Sequence, residues 1–191
     1  MRNHYKRRAY IMNILMLTGS PRKKGVTAHL ADAFFKGAEE AGHHVDRFDA
    51  ARMKVSPCKA CYACRKKGNC VFDDDMTPLL GEEGKILSAD FIVLVTPIYY
   101  FSMTAQLKAV LDRFYSLGHG IWEKSQKAVL IAAGGDSDPS VMDGLSGTYH
   151  SLCKWCHWQD LGTFAALGCH EVEDLTEEAL EKVYTFARNL K

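Results

Sequence analysis

Asn13-Ile-Leu-Met-Leu-Thr18, running into Gly19-Ser-Pro-Arg-Lys-Lys-Gly-Val-Thr27, decides how this chain folds. Ile14 to Leu17 are apolar without alternation, as in a strand covered on both faces. The next stretch is rich in glycine, hydroxyl groups and positive charge. From Thr27 to Ala41, Leu30, Ala31, Phe34, Phe35, Ala38 and Ala41 recur at helical spacing, and Gly42 stands just past the end. Strand, glycine-rich turn and helix in that order open a βα unit. An open α/β sheet binds anions at this place, because the first N–H groups of the helix lack partners within it. Gly19 and Gly25 allow the tight turn, Ser20 and Thr27 offer hydroxyls, and Arg22 offers a charged fork. Thr27 also suits a helix cap. The loop lacks the Gly-Lys-Ser/Thr of a Walker loop and the Gly-x-Gly-x-x-Gly of a dinucleotide site. By itself it reads equally as a phosphate loop or as an ordinary basic turn.

The alternation continues along the chain. Val45–Phe48 reads as a second strand, and residues 50–75 as an irregular, cysteine-rich loop. Met76–Ser88 reads as a helix, against the tendency of Gly81 and Gly84. Asp90–Thr96 is a third strand, Thr104–Leu117 a helix, and Lys127–Ala133 a fourth strand. Gly134–Gly147 reads as loop, Thr148–Trp158 as helix, and Thr163–Leu167 as a weaker fifth strand. Thr176–Leu190 closes the chain as a helix with Leu180, Val183, Tyr184, Ala187 and Leu190 on one face. The pattern predicts an α/β fold: a doubly wound, five-stranded parallel sheet in the order 2-1-3-4-5, with a cysteine-rich loop after strand two. Residues 12–191 form one domain, and residues 1–11 a basic N-terminal arm.

Composition narrows the function. Lys plus Arg is 24 and Asp plus Glu is 23, a net charge of +1 that gives no reason to invoke nucleic acid or an anionic membrane. No apolar run approaches a membrane span. The first ten residues are basic but lack an apolar core, so they do not read as a secretory signal, and the predicted location is cytoplasmic. The seven cysteines then read as reduced thiols or metal ligands, not as a disulfide framework.

A second loop gives the first its meaning. After strand three come Thr96-Pro97-Ile98-Tyr99-Tyr100-Phe101-Ser102-Met103-Thr104-Ala105-Gln106-Leu107-Lys108 and then Asp112-Arg113. With Gly19-Ser20-Pro21-Arg22, this resembles the NADPH-dependent FMN reductase group of flavodoxin-like proteins over nearly all of residues 12–117. The resemblance implies a flavodoxin-like fold and FMN as cofactor. It implies that Ser20, Arg22, Gly25, the Val26 backbone N–H and Thr27 hold the FMN phosphate. Pro97, Ile98, Tyr99, Tyr100, Phe101 and Ser102 would run along the isoalloxazine and ribityl chain, with Gly134, Gly135 and Asp136 at the other edge of the flavin. Val26 stands where the family usually carries Asn, so a side-chain contact is missing there. The plain alternative for the three aromatics is core packing at a strand end. Lys108 and Asp112, four apart on a helix, read as a surface ion pair.

Cys58, Cys61, Cys64 and Cys70 have the spacing C-x2-C-x2-C-x5-C. This compact run, followed by Asp73-Asp74-Asp75-Met76, resembles the motif of iron-sulfur flavoproteins in the same superfamily. Three readings stand: a [4Fe–4S] cluster passing electrons to FMN, a structural zinc ion, and free thiols. Lys59, Arg65, Lys66 and Lys67 make the loop basic, which favours thiolates or offsets the charge of a cluster; simple solvation explains them too. Cys153-Lys154-Trp155-Cys156-His157 spells a c-type haem pattern, but attachment needs export, and the segment reads as buried or interface thiols on a helix. The eight histidines show no metal-ligand spacing, and His43-His44 reads as a turn.

These readings predict an FMN-dependent oxidoreductase of the iron-sulfur flavoprotein type. It would take electrons from NAD(P)H or a ferredoxin-like donor and pass them to a small-molecule acceptor. No proton-transferring side chain is indicated. One alternative is an FMN-only NAD(P)H-dependent reductase of quinones, azo or nitro compounds or free flavin. The other is a non-catalytic carrier like flavodoxin, opposed by the near-neutral charge and the cysteine insertion. The resemblance also implies a homodimer or homotetramer.

Overall fold

Continuous apolar runs leave the central strands no exposed face, and the chain satisfies them with a parallel sheet covered on both sides. The computed structural model describes residues 10–191, so the expected arm lies outside the described residues except for Tyr10 and Ile11. The strands are β1 (Asn13–Thr18), β2 (His44–Asp49), β3 (Phe91–Pro97), β4 (Lys127–Ala133) and β5 (Gln159–Ala166). All are parallel, in the expected order β2-β1-β3-β4-β5. The helices are α1 (Val26–Glu40), α2 (Ala63–Lys67), α3 (Lys85–Ser88), α4 (Ala105–Asp112), α5 (Gly120–Glu123), α6 (Asp143–Trp155) and α7 (Glu177–Arg188).

Side chains of successive strand residues leave the sheet on opposite faces. Ile14, Met16, Phe91, Val93, Val129 and Ile131 pack under α1 and α7, together with Phe34. Leu15, Leu17, Ile92, Leu94, Leu130 and Ala132 pack on the other face against Leu107, Val110, Leu145 and Tyr149 of α4 and α6. Register sets Thr18 beside Val95 and Pro97 beside Ala133. The loops after β1, β3 and β4 therefore leave the sheet side by side. Among the described residues no helix is long and apolar enough to cross a membrane.

Several boundaries differ from the sequence reading. The helix predicted over Met76–Ser88 is instead a 3₁₀ turn, Thr77–Leu79, and the single-turn α3. Gly81 has φ +86°, and a Cβ on Gly84 would overlap Leu80 carbonyl oxygen, so a continuous helix cannot pass. The helix predicted over Thr104–Leu117 ends at Asp112 and continues as a 3₁₀ turn, Arg113–Leu117. α6 begins within the predicted loop: Asp138 accepts from Ser140 N–H, and Pro139 starts the turn that leads into it. It ends before His157, which has φ +55°. β5 is longer than predicted, because an edge strand with polar outward residues carries little apolar signal. Cys153 and Cys156 are buried, and burial pushes their thiols up to about 11 and about 12, values of unreactive thiols. Lys108 and Asp112 form the expected surface pair.

α1 and α7 approach closely at Gly37. A Cβ there would overlap Tyr184 carbonyl oxygen and lie 3.1 Å from Ala187 Cβ. Exposed helical glycines gain about 1 kcal/mol on replacement by alanine. Gly37→Ala is expected to lose about 1–3 kcal/mol instead, through overpacking. Urea unfolding measures the sign, and a raised midpoint would show that the helices do not meet there.

Candidate functional site

The three adjacent loops line an open cleft of about 150 Å³. Ser20, Arg22, Gly25, Val26 and Thr27 form one wall, Pro97, Ile98 and Tyr99 a second, and Ala133, Gly134, Gly135, Cys169 and His170 a third. α1 starts at this cleft with Gly25 as N-cap, and no side chain caps it. Thr27 is therefore not the cap: it lies inside the first turn, buried, with its hydroxyl spared from capping. Ser20 Oγ accepts from Arg22 N–H at 3.2 Å and shapes the turn. Arg22 reaches across the cleft mouth to the His170 carbonyl at 3.3 Å and Glu171 at 3.5 Å, a weak and exposed pairing.

The β3 loop is held by Ile98 N–H donating to Ala133 carbonyl at 2.7 Å. Tyr99 and Ser102 then exchange backbone hydrogen bonds of 2.9 and 3.2 Å around Tyr100 and Phe101, both at positive φ. This two-residue turn carries the rings outward: Tyr100 is 99% exposed, and Tyr99 and Phe101 are exposed as well. The structure thus excludes core packing for the aromatics. It brings Tyr99 to the cleft wall and leaves Tyr100, Phe101 and Ser102 off the lining. Asp136 is off it too, because its carboxylate accepts Asp138 N–H at 2.9 Å within the β4 loop. Gly134 and Gly135 lie close under two side chains: a Cβ would come 3.0 Å from Ile98 Cδ1 and 2.7 Å from the His170 ring respectively, so either side chain would have to shift.

Ala133, Cys169 and His170 were not singled out from the sequence. The available signal was position, since Cys169 and His170 follow the last strand on the ligand-binding edge of the sheet. The end of β5 was read to within one residue, but no local pattern marks the two residues beyond it as cleft lining.

Cys58, Cys61, Cys64 and Cys70 all line a second hollow of about 290 Å³, with Tyr62, Phe72, Arg113 and Tyr115 among its walls. Ala60 and Tyr62 have positive φ, which folds the chain tightly between the first thiols. Arg65 donates to Tyr115 Oη and lies over the Tyr62 ring at 4.5 Å, tying the short α2 to the core. The loop closes on Asp74. Its carboxylate accepts Ser56 N–H at 2.9 Å, Met76 N–H at 3.1 Å and Arg113 Nη1 at 2.7 and 2.5 Å. The two hollows lie at opposite ends of α4. Thr104, which caps its start, donates from Oγ1 to Gly19 carbonyl at 2.9 Å, whereas Arg113 follows its last residue.

Residues 12–167 match the family model for NADPH-dependent FMN reductases. The chain belongs to that family. It is 33% identical over 147 residues to an iron-sulfur flavoprotein of Methanosarcina thermophila, covering 76% of this chain and 73% of that one. It is 35% identical over 108 residues to an iron-sulfur flavoprotein of Archaeoglobus fulgidus, covering 56% of this chain and 48% of the other. The chain thus spans from about half to three quarters of these relatives' length. Its fold is similar to that of an NAD(P)H:quinone oxidoreductase from Methanothermobacter marburgensis, with TM-score 0.74, 19% identity, and 95% and 97% of the two chains covered.

In this FMN reductase family member, the Asp74–Arg113 pair is buried, unlike the surface pairs. Burial raises the Asp74 carboxyl, but the hydrogen bond and charge of Arg113, with the Ser56 and Met76 N–H groups, outweigh it and hold the carboxyl below its usual value. A depressed carboxyl stabilises the fold above its unfolded value, about 3.9, and loses that contribution as pH falls through its folded value. Asp74→Asn is expected to cost about 3–5 kcal/mol near neutrality, because it leaves Arg113 buried without its counter-charge. The gap to wild type should narrow from about pH 7 to about pH 3. Urea unfolding at several pH values checks this, and a gap independent of pH would show that the pair is not its source.

Proposed function

We propose that this chain is an FMN-dependent oxidoreductase of the iron-sulfur flavoprotein type. The observation that carries the reading is the cleft where three strand ends meet, into which an uncapped helix start opens between flat, close walls. Buried Ser20 and Thr27 hydroxyls, the Val26 N–H and the Arg22 guanidinium suit a phosphate monoester at a helix N-terminus. Gly25 keeps that wall low enough for a close approach. Pro97 to Tyr99 adjoin Gly134 and Gly135 along the cleft, and this joint wall suits a planar ring system lying against it, with Tyr100, Phe101 and Ser102 following Tyr99 outside the lining. FMN, when bound, supplies the electron chemistry; the chain supplies position and electrostatics. Our electron source is NAD(P)H or a ferredoxin-like donor, and our acceptor a small molecule.

Four thiols lining one hollow support a [4Fe–4S] group there. Among the described residues no three Cys, His, Asp or Glu side chains are gathered so as to hold a metal ion, and the preference for a cluster over zinc rests on the compact C-x2-C-x2-C run. The exposure of Cys58 and Cys61 favours a second reading, an FMN-only reductase with free thiols. We place the protein in the cytoplasm, where thiols stay reduced. We take residues 12–191 as one FMN-binding domain and the assembly as a homodimer or homotetramer. Trp155, exposed and 5.7 Å from Trp122, supports self-association.

Ser20→Ala with Thr27→Ala removes two hydrogen bonds to a charged group, each about 1.5–3 kcal/mol, so FMN affinity should fall at least about a hundredfold. Calorimetric titration of the apoprotein measures it, and equal affinity in both proteins would remove the assignment. Protein prepared without oxygen should hold iron and acid-labile sulfide beside FMN, and Cys61→Ser should lose the iron while keeping the flavin. FMN with neither iron nor sulfide would leave the FMN-only reductase. Sedimentation at micromolar concentration should show a species larger than the monomer; a monomer alone would refute the assembly.

A further inference from the structure

We propose that Arg113 tunes the iron-sulfur group: its guanidinium, anchored to Asp74 through one nitrogen, donates its remaining N–H groups to the sulfurs held in the cysteine hollow. The inference rests on the cluster reading above and goes beyond it, to what sets the reduction potential.

Arg113 is 1% exposed and lines the same hollow as the four thiols. Its Nη1 is occupied by both Asp74 oxygens, at 2.7 and 2.5 Å. Its Nε and Nη2 are buried and have no hydrogen-bond partner. A guanidinium stays charged at any ordinary pH, and buried donors without acceptors are costly, so their presence calls for an acceptor. The wall itself offers little. The Phe72 ring lies 5.4 Å from the guanidinium carbon, and Asp112 is engaged by Lys108. What fills the hollow must therefore accept hydrogen bonds and suit a cation. A [4Fe–4S] cube with four thiolate ligands is a dianion with sulfur acceptors, and its potential depends on net charge and on hydrogen bonds to those sulfurs.

A cluster held there would gain one negative charge on one-electron reduction by an external reductant, and Arg113 would give up no proton. The guanidinium stabilises the more negative form, so it raises the potential. Asp74 positions it: the carboxylate takes Nη1 and leaves Nε and Nη2 without a partner. Arg113 is a positioning and tuning residue, not a cluster ligand.

The test is a dithionite redox titration of the anaerobically reconstituted protein, followed by electron paramagnetic resonance, with FMN content reporting the fold. Arg113→Lys keeps the charge on Asp74 and loses the planar fork. Arg113→Gln with Asp74→Asn removes both charges as a neutral pair. The double variant should lower the reduction equilibrium constant at least tenfold, about 59 mV for a one-electron couple, and Arg113→Lys should lower it by less. Constants within about twofold of wild type in both variants would make Arg113 purely structural and overturn the proposal. Should the variants assemble no cluster, wild-type protein with heavy-nitrogen-labelled arginine decides. Hyperfine coupling of that nitrogen to the reduced cluster, persisting in Arg65→Lys, supports the proposal; its absence overturns it. Wild type that carries FMN without iron overturns the cluster reading and this proposal together, whereas a cluster with an unmoved potential overturns this proposal alone.

Discussion

A strand covered on both faces must satisfy its backbone polar groups within the sheet. For β1, β3 and β4 that requirement fixes a register, and the register stacks Thr18, Val95 to Pro97 and Ala133 at one edge. The rest of the molecule follows from this stacking. Three loops leave the edge together, and an open cleft forms between them. Gly19 also lets α4 approach: a Cβ there would overlap Thr104 Oγ1 and lie 2.8 Å from Leu107 Cβ. Pinning the start of α4 at the β1 loop places its far end about 12 Å away, eight residues along the helix. The cysteine loop is received at that far end. The two hollows are thus set apart by the length of one short helix.

Electrostatics divides along the same line. The exposed pairs, Arg22 with Glu171 or Lys182 with Glu178, lie in water and contribute little. Asp74 with Arg113 lies between the loop and the core, and the same carboxylate gathers N–H groups from Ser56 and Met76. All four cysteines of the loop lie between those two residues in the chain. A segment with few apolar residues of its own is therefore closed by one buried carboxylate and one buried guanidinium, helped by the Arg65–Tyr115 tie.

The sheet was legible because buried parallel strands write themselves as unbroken apolar runs, and β1, β3 and β4 are such runs. β5 was half legible: at the edge its outward residues are polar, and only its last residues carry an apolar signal. The helix read into Met76–Ser88 failed on backbone geometry, since apolar spacing says nothing of the positive φ at Gly81 or the crowding at Gly84. In the site, the β1 loop was readable because anion binding uses a short local pattern. Cys169 and His170 reach the cleft only through the path of β5, and no local pattern announces them. Arg113 and Asp74 are 39 residues apart, and their meeting depends on where α4 ends, which the sequence set five residues too far along.

The Tyr100–Phe101 turn remains to be accounted for physically. Two bulky residues at positive φ hold a sparsely populated backbone conformation at some cost in stability. The surroundings enforce it: Tyr99 and Ser102 close the turn by two hydrogen bonds, and Gly144 makes room for Phe101 carbonyl oxygen, which a Cβ would overlap. Burial does not repay the strain, because the Tyr100 ring is almost wholly in water. The core therefore does not explain this turn. The turn directly follows the wall formed by Pro97 to Tyr99 and carries its own rings into solvent. The turn's own hydrogen bonds and the room left at Gly144 hold this strain, and the same backbone fixes Tyr99 in the cleft wall, so the β3 loop loses stability to a conformation that the sheet does not require.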